Sequence, residues 1–117
     1  MGWTMKLVVY GTLLQPSWGL DIDETEHRIP GQLYDVGAFP VAVPPIQDDD
    51  YFMARIANIN AADLPLLDQY ESVDSGLFIR ETITVDGNDC FIYLFTGELP
   101  VRRQRLISWF RYGKDSL

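Results

Sequence analysis

Thiol and imidazole are scarce in this chain: its 117 residues include one cysteine, Cys90, and one histidine, His27. A single thiol excludes an intrachain disulfide and fits a reducing compartment, so a cytoplasmic location is expected. Zinc sites draw on several Cys and His ligands, which the sequence does not supply. A Cys–His nucleophile pair has equally little support. Cys90 sits mid-strand among apolar neighbours, where a free thiol packs as a small hydrophobe, and His27 lies in a polar stretch with no nucleophile elbow beside it. The acidic run Asp48–Asp50 lacks the spaced ligands and the glycine of a calcium loop, and reads as a solvated turn. No metal and no cofactor is expected.

Positive charge is also in short supply, with 9 Lys and Arg against 17 Asp and Glu and a formal net charge of −8. Such a surface repels polyanions, so nucleic acid and anionic membranes are poor partners. Five cations fall late, at Arg102, Arg103, Arg105, Arg111 and Lys114, and solvation of an amphipathic helix accounts for them. No run approaches the ~18–20 apolar residues that span a bilayer. No charged leader with a long apolar core and a small-residue cleavage site opens the chain. Met1-Gly2 starts like a myristoylation signal, but Lys6 stands where Ser or Thr is required. Neither GxxxxGK[ST] nor GxGxxG occurs, so a phosphate or dinucleotide loop is not expected.

Apolar side chains are plentiful, at 47% of residues with 13% aromatic, which is enough to build a packed core and to exclude global disorder. The length suits one domain over residues 1–117. Met5–Tyr10 reads as a buried strand leaving into a turn at Gly11, and Gly11–Gly19 as loop. Arg28–Val36 and Phe39–Val43 look extended, and Tyr51–Ile59 reads as a strand. Around Asn60–Tyr70 the period changes to that of a short helix. Pro65 is tolerated in its first turn if Asp63 is the cap. Leu77–Val85 alternates cleanly, Asp86-Gly87-Asn88 signals a hairpin, and Asp89–Thr96 returns as its partner. Leu106, Ile107, Trp109 and Phe110 are spaced as in a helix over Val101–Tyr112. The expected class is α+β: a mixed, mainly antiparallel, barrel-like sheet of about six strands flanked by short helices.

Two segments carry candidate chemistry. In Val8-Val9-Tyr10-Gly11-Thr12-Leu13 a strand ends in a turn whose successive backbone N–H groups can hold an anion, with Gly11 supplying backbone freedom. Many strands end in Tyr-Gly for conformational reasons alone. Glu71 ends the short helix, where the negative end of the helix dipole disfavours its ionised form. An apolar pocket would add desolvation in the same direction, and a base nearer neutrality suits proton shuttling. A solvated glutamate at a helix end is the plainer reading.

Taken together and in order, Tyr10-Gly11-Thr12-Leu13 and Leu67-Asp68-Gln69-Tyr70-Glu71 resemble the hallmarks of the γ-glutamylcyclotransferase-like family. Gly31-Gln32-Leu33-Tyr34-Asp35, then Gly37 with Phe39-Pro40, and Arg80 after the Glu-containing loop are similar to further family features. The resemblance implies a mixed, barrel-like sheet with a cavity at one end. It also implies a reaction: the substrate's own α-amine attacks its γ-carbonyl, releasing 5-oxoproline and an amine. Glu71 would be the general acid/base, and Tyr10, Gly11, Thr12 and Leu13 would bind the γ-glutamyl moiety, with the amides of Gly11, Thr12 and Leu13 on its α-carboxylate. The implied partner is a small γ-glutamyl molecule. Thr12 stands where serine is common, and Leu14 where many members carry arginine. A non-catalytic module that binds a small metabolite through the same loop is the alternative. Nothing in the sequence specifies an oligomeric state.

Overall fold

The computed structural model describes residues 4–11, 19–36, 40–71, 73, 76–101 and 103–107. The chain runs through β1 (Thr4–Val9), β2 (Asp21–Ile22), β3 (His27–Pro30), β4 (Gln32–Asp35), β5 (Pro40–Val43), β6 (Tyr51–Asn60), a 3-10 turn (Ala61–Asp63), α1 (Leu64–Tyr70), β7 (Phe78–Val85), β8 (Asn88–Phe95) and β9 (Gln104–Leu106). The class is α+β, with more strands and less helix among the described residues than expected. The larger sheet has the order β2-β6-β1-β8-β7, with β3 also on β6; the smaller is β5-β4-β9. β1 lies parallel to β8, and the other pairs are antiparallel.

The C-terminal half of β1, Leu7–Val9, is apolar because it is buried on both faces. Val8, with Tyr10 beyond it, joins a core of Ile29, Leu33, Phe52 and Ile92. Leu7 and Val9 point the other way, to Ile59, Leu64, Leu67 and Tyr93. Each such burial contributes about 1.5–3 kcal/mol, so β1 is tied to both layers at once. That fixes where its C-terminal end, and hence Tyr10, can lie.

The sheet does not close into a barrel, contrary to expectation. Among the described residues no ladder joins β3 to β7; a side-chain pair spans that side instead, with His27 Nδ1 2.6 Å from Asp86 Oδ2. Long β6 is the reason. Its ten residues take β2 and then β3 along one edge, and both partners are too short to continue the sheet round to β7.

The expected C-terminal helix is also corrected. Gln104–Leu106 is strand, opposite Asp35, Tyr34 and Leu33, while 108–112 lie outside the described residues. Leu106 is buried in the core, and Arg105 bonds Asp50 Oδ1 at 3.2 Å. Arg103 donates to the Pro100 carbonyl and lies over the Tyr34 ring. These two cations therefore have local partners and do not solvate a helix face. Three residues of period two look the same as one turn of a helix seen in isolation, and pairing with β4 decides.

Asp50 is a further correction, since it organises its turn instead of facing water. Its Oδ2 accepts from the Ile46 and Gln47 amides at 3.0 and 2.9 Å and from buried Gln32 at 2.9 Å. These donors, amides first, hold its carboxyl down at about 2. The stabilisation is therefore complete above the ordinary carboxylate value and is lost as pH falls towards about 2. Asp50→Asn is expected to lower stability at neutral pH and to remove this step from acid unfolding followed by circular dichroism.

Asp86 and Gly87, with φ of 50° and 82°, make the two-residue turn that the sequence signals, Val85 facing Asn88. A Cβ at Gly87 would meet nothing within 4 Å, so Gly87→Ala adds only left-handed backbone strain. The expected cost is about 1 kcal/mol, read from the denaturant midpoint. Among the described residues no helix is long and apolar enough to cross a membrane.

Candidate active site

Tyr10 leaves β1 with its side chain turned into the core, 8% exposed. Its hydroxyl donates to the Tyr93 carbonyl at 2.5 Å, and its ring meets Phe52 edge-on at 5.9 Å between centroids. A buried tyrosine needs a partner for its hydroxyl, and β8 supplies one. Burial first, and the charge of Glu71 second, push its phenol far above the ordinary range, so Tyr10 stays a neutral donor.

Gly11 is needed here for a different reason from the one expected. It does not have positive φ. A Cβ at this position would lie 2.8 Å from Pro40 Cγ, so glycine lets the start of β5 pack against the end of β1. Thr12 and Leu13 lie outside the described residues, as does Leu14. Of the amides expected to hold an anion, only that of Gly11 is therefore placed.

α1 begins where Pro65 permits, with Asp63 at the cap position, although its side chain makes no capping bond. Leu64 and Leu67 fix the helix to the core face shared by Val9 and Tyr93. Glu71 is the C-cap, its amide donating to the Leu67 carbonyl at 2.9 Å, and the Val73 amide donates to the Asp68 carbonyl at 3.0 Å. The Glu71 side chain is half-buried. Desolvation raises its carboxyl from 4.5 to about 7, the direction the sequence anticipated.

Sequence reasoning missed how the helix is held. Asp68, one turn before Glu71, receives the Tyr93 hydroxyl at 2.7 Å and Arg80 Nη1 at 2.5 Å. Arg80 also lies over the Phe91 ring, 5.1 Å from its centre. Arg80, which the family resemblance places after the Glu-containing loop, has Asp68 as its partner. The signal for Tyr93 was a phenol in a strand apolar on both faces, where its hydroxyl must find a bond.

A family model for γ-glutamyl cyclotransferase, AIG2-like, proteins matches residues 7–112. A search of curated protein sequences finds no match. Among solved structures, an AIG2-like protein from Mus musculus superposes with a TM-score of 0.76 at 19% identity, covering 97% of this chain and 93% of that one. Protein YtfP from Escherichia coli does so at 0.69 and 21%, covering 93% and 99%. A γ-glutamyl cyclotransferase superposes at 0.64 and 16%, covering 88% and 70%. At these identities the likeness is one of fold.

Proposed function

The chain belongs to the γ-glutamyl cyclotransferase, AIG2-like, family, and from that premise we propose that it releases 5-oxoproline from a γ-glutamyl amine or peptide, with Glu71 as general acid/base. The observation that carries this reading is the Glu71 carboxyl, half-buried at the end of α1, where desolvation raises it to about 7.

In this reading Tyr10, Gly11, Thr12 and Leu13 bind the γ-glutamyl moiety, with the amides of Gly11, Thr12 and Leu13 on its α-carboxylate. Glu71, ionised, takes a proton from the α-ammonium, which is no nucleophile until it loses one. The freed nitrogen lone pair attacks the γ-carbonyl carbon and the five-membered ring closes. Protonated Glu71 then delivers its proton to the amide nitrogen, and the carbon–nitrogen bond to the leaving group breaks. The ring nitrogen keeps one hydrogen, and the others reach the leaving nitrogen, which departs as an ammonium. A carboxyl near neutrality performs both transfers, since it gives up and accepts a proton at similar cost. Both reacting groups belong to one molecule, so what the site supplies is the remaining orientational cost, by holding the flexible glutamyl chain in its ring-closing conformer.

The test is 5-oxoproline release from a panel comprising a γ-glutamyl dipeptide, glutathione, a γ-glutamyl polyamine and a γ-glutamyl isopeptide. Release from at least one is expected. Silence across the panel from folded protein would replace this reading with that of a binding module.

A further inference from the structure

The candidate site has two halves that are distant in sequence, the end of β1 with Tyr10 and Gly11, and α1 with Glu71. One residue of β8 touches both. The backbone carbonyl of Tyr93 accepts the Tyr10 hydroxyl at 2.5 Å, 83 positions away in sequence. Its own hydroxyl donates to Asp68 Oδ1 at 2.7 Å, 25 positions away. The Tyr93 ring is 1% exposed and packs with Val9, Leu64 and Leu67, so neither bond can swing aside. Arg80 on β7 takes the other oxygen of Asp68, which makes the grip on α1 two-pronged.

From these contacts we infer that Tyr93 is a positioning residue: its carbonyl fixes Tyr10 at the end of β1, and its hydroxyl fixes Asp68 on the helix that carries Glu71. The inference rests on the functional reading above for its catalytic meaning. α1 is short, and isolated helices of this length do not persist in water. Its C-terminal end is therefore as well placed as its attachments to the sheet. Leu64 and Leu67 attach it by apolar packing, which resists lifting but leaves sliding and rolling cheap. The directional bonds to Asp68 set the roll, and with it the direction in which Glu71 projects from the next turn. Reacting groups must be held close to their productive geometry, and a displacement of about 1 Å can cost on the order of a hundredfold in rate.

Tyr93→Phe isolates the hydroxyl, since it keeps the ring's volume and the carbonyl that receives Tyr10. Two readouts are taken on the full chain. With the best substrate of the panel, kcat is expected to fall about tenfold or more while KM stays within about twofold. By amide hydrogen exchange, the Glu71 and Val73 amides, bonded to Leu67 and Asp68, are expected to exchange about tenfold faster, with the β1–β6 ladder unchanged. A merely structural tyrosine would speed exchange throughout, or lower stability with kcat preserved, and either result overturns the inference. So does unchanged exchange at Glu71 and Val73. A parent protein silent on every substrate defeats the functional reading instead, and the exchange pattern then decides alone whether Tyr93 braces the helix.

Discussion

Replacing Glu71 by glutamine is expected to cut 5-oxoproline release by about 10²–10⁴-fold, the usual worth of a positioned acid/base, while making the folded protein more stable at pH 8. The two effects have one cause. Burial raises the carboxyl from 4.5 to about 7, so between those values the folded state holds a proton that the unfolded state has released. Stability contributed by this group is present below about pH 4.5 and falls as pH rises towards 7, the opposite of a paired carboxylate. Glutamine has the same size and no charge to desolvate, and so escapes that loss. The expected gain over the parent at pH 8 is on the order of 1–3 kcal/mol, discounted for the part of the side chain that water reaches. Thermal unfolding at pH 5 and pH 8 reads it as a difference between parent and variant that widens with pH. Loss of activity together with loss of stability would mean that Glu71 holds the fold and would remove the argument for its role.

The second large effect is expected far from Glu71, at Gly31. This glycine separates β3 from β4 with φ of 142°, which a side chain rarely adopts, and a Cβ there would lie 2.7 Å from the Val43 carbonyl oxygen and 3.2 Å from Phe52 Cε1. Neither neighbour can retreat easily. Val43 is in the β4–β5 ladder opposite Gln32, and Phe52 is fully buried on β6. Gly31→Ala therefore combines backbone strain of about 1–3 kcal/mol with overpacking of similar size, and a loss of about 3 kcal/mol is expected in chemical denaturation. Gly87→Ala, with strain alone, is the internal comparison and is expected to lose about a third as much. Equal losses would mean that the Val43 and Phe52 contacts are relieved by small shifts. Activity should follow Gly31 as well, because β4 carries β5, and Pro40 at the start of β5 packs against Gly11.

What the sequence made legible was chemistry decided within a few residues. Pro65 set the start of α1, and Asp86-Gly87 set the β7–β8 turn because two successive positive φ values need those residue types. β1 was readable because its last three residues, Leu7–Val9, are buried on both faces and therefore apolar. Glu71 and Tyr10 were singled out from short motifs; Glu71 is half-buried at the end of α1 and Tyr10 is buried just beyond β1. Contacts made at long range were not readable. Leu106 becomes strand only because Leu33 lies opposite it. Asp50 looked like one of three solvated aspartates until its turn brought Gln32, Arg105 and two amides to it. Gly11 was assigned backbone freedom when its actual constraint is Pro40, a residue from another strand. Tyr93 joins partners 83 and 25 positions away, and no local pattern announces such a bridge.

The dependence of kcat/KM on pH, measured for the parent and for Glu71→Gln on the same γ-glutamyl substrate, tests the central claim most directly. The parent is expected to gain activity as pH rises through about 7, where the half-buried Glu71 carboxyl ionises, and the residual activity of the variant is expected to lack that inflection. An inflection in the ordinary carboxylate range, or one that persists unchanged in Glu71→Gln, would contradict the assignment of Glu71 as the group that moves the proton.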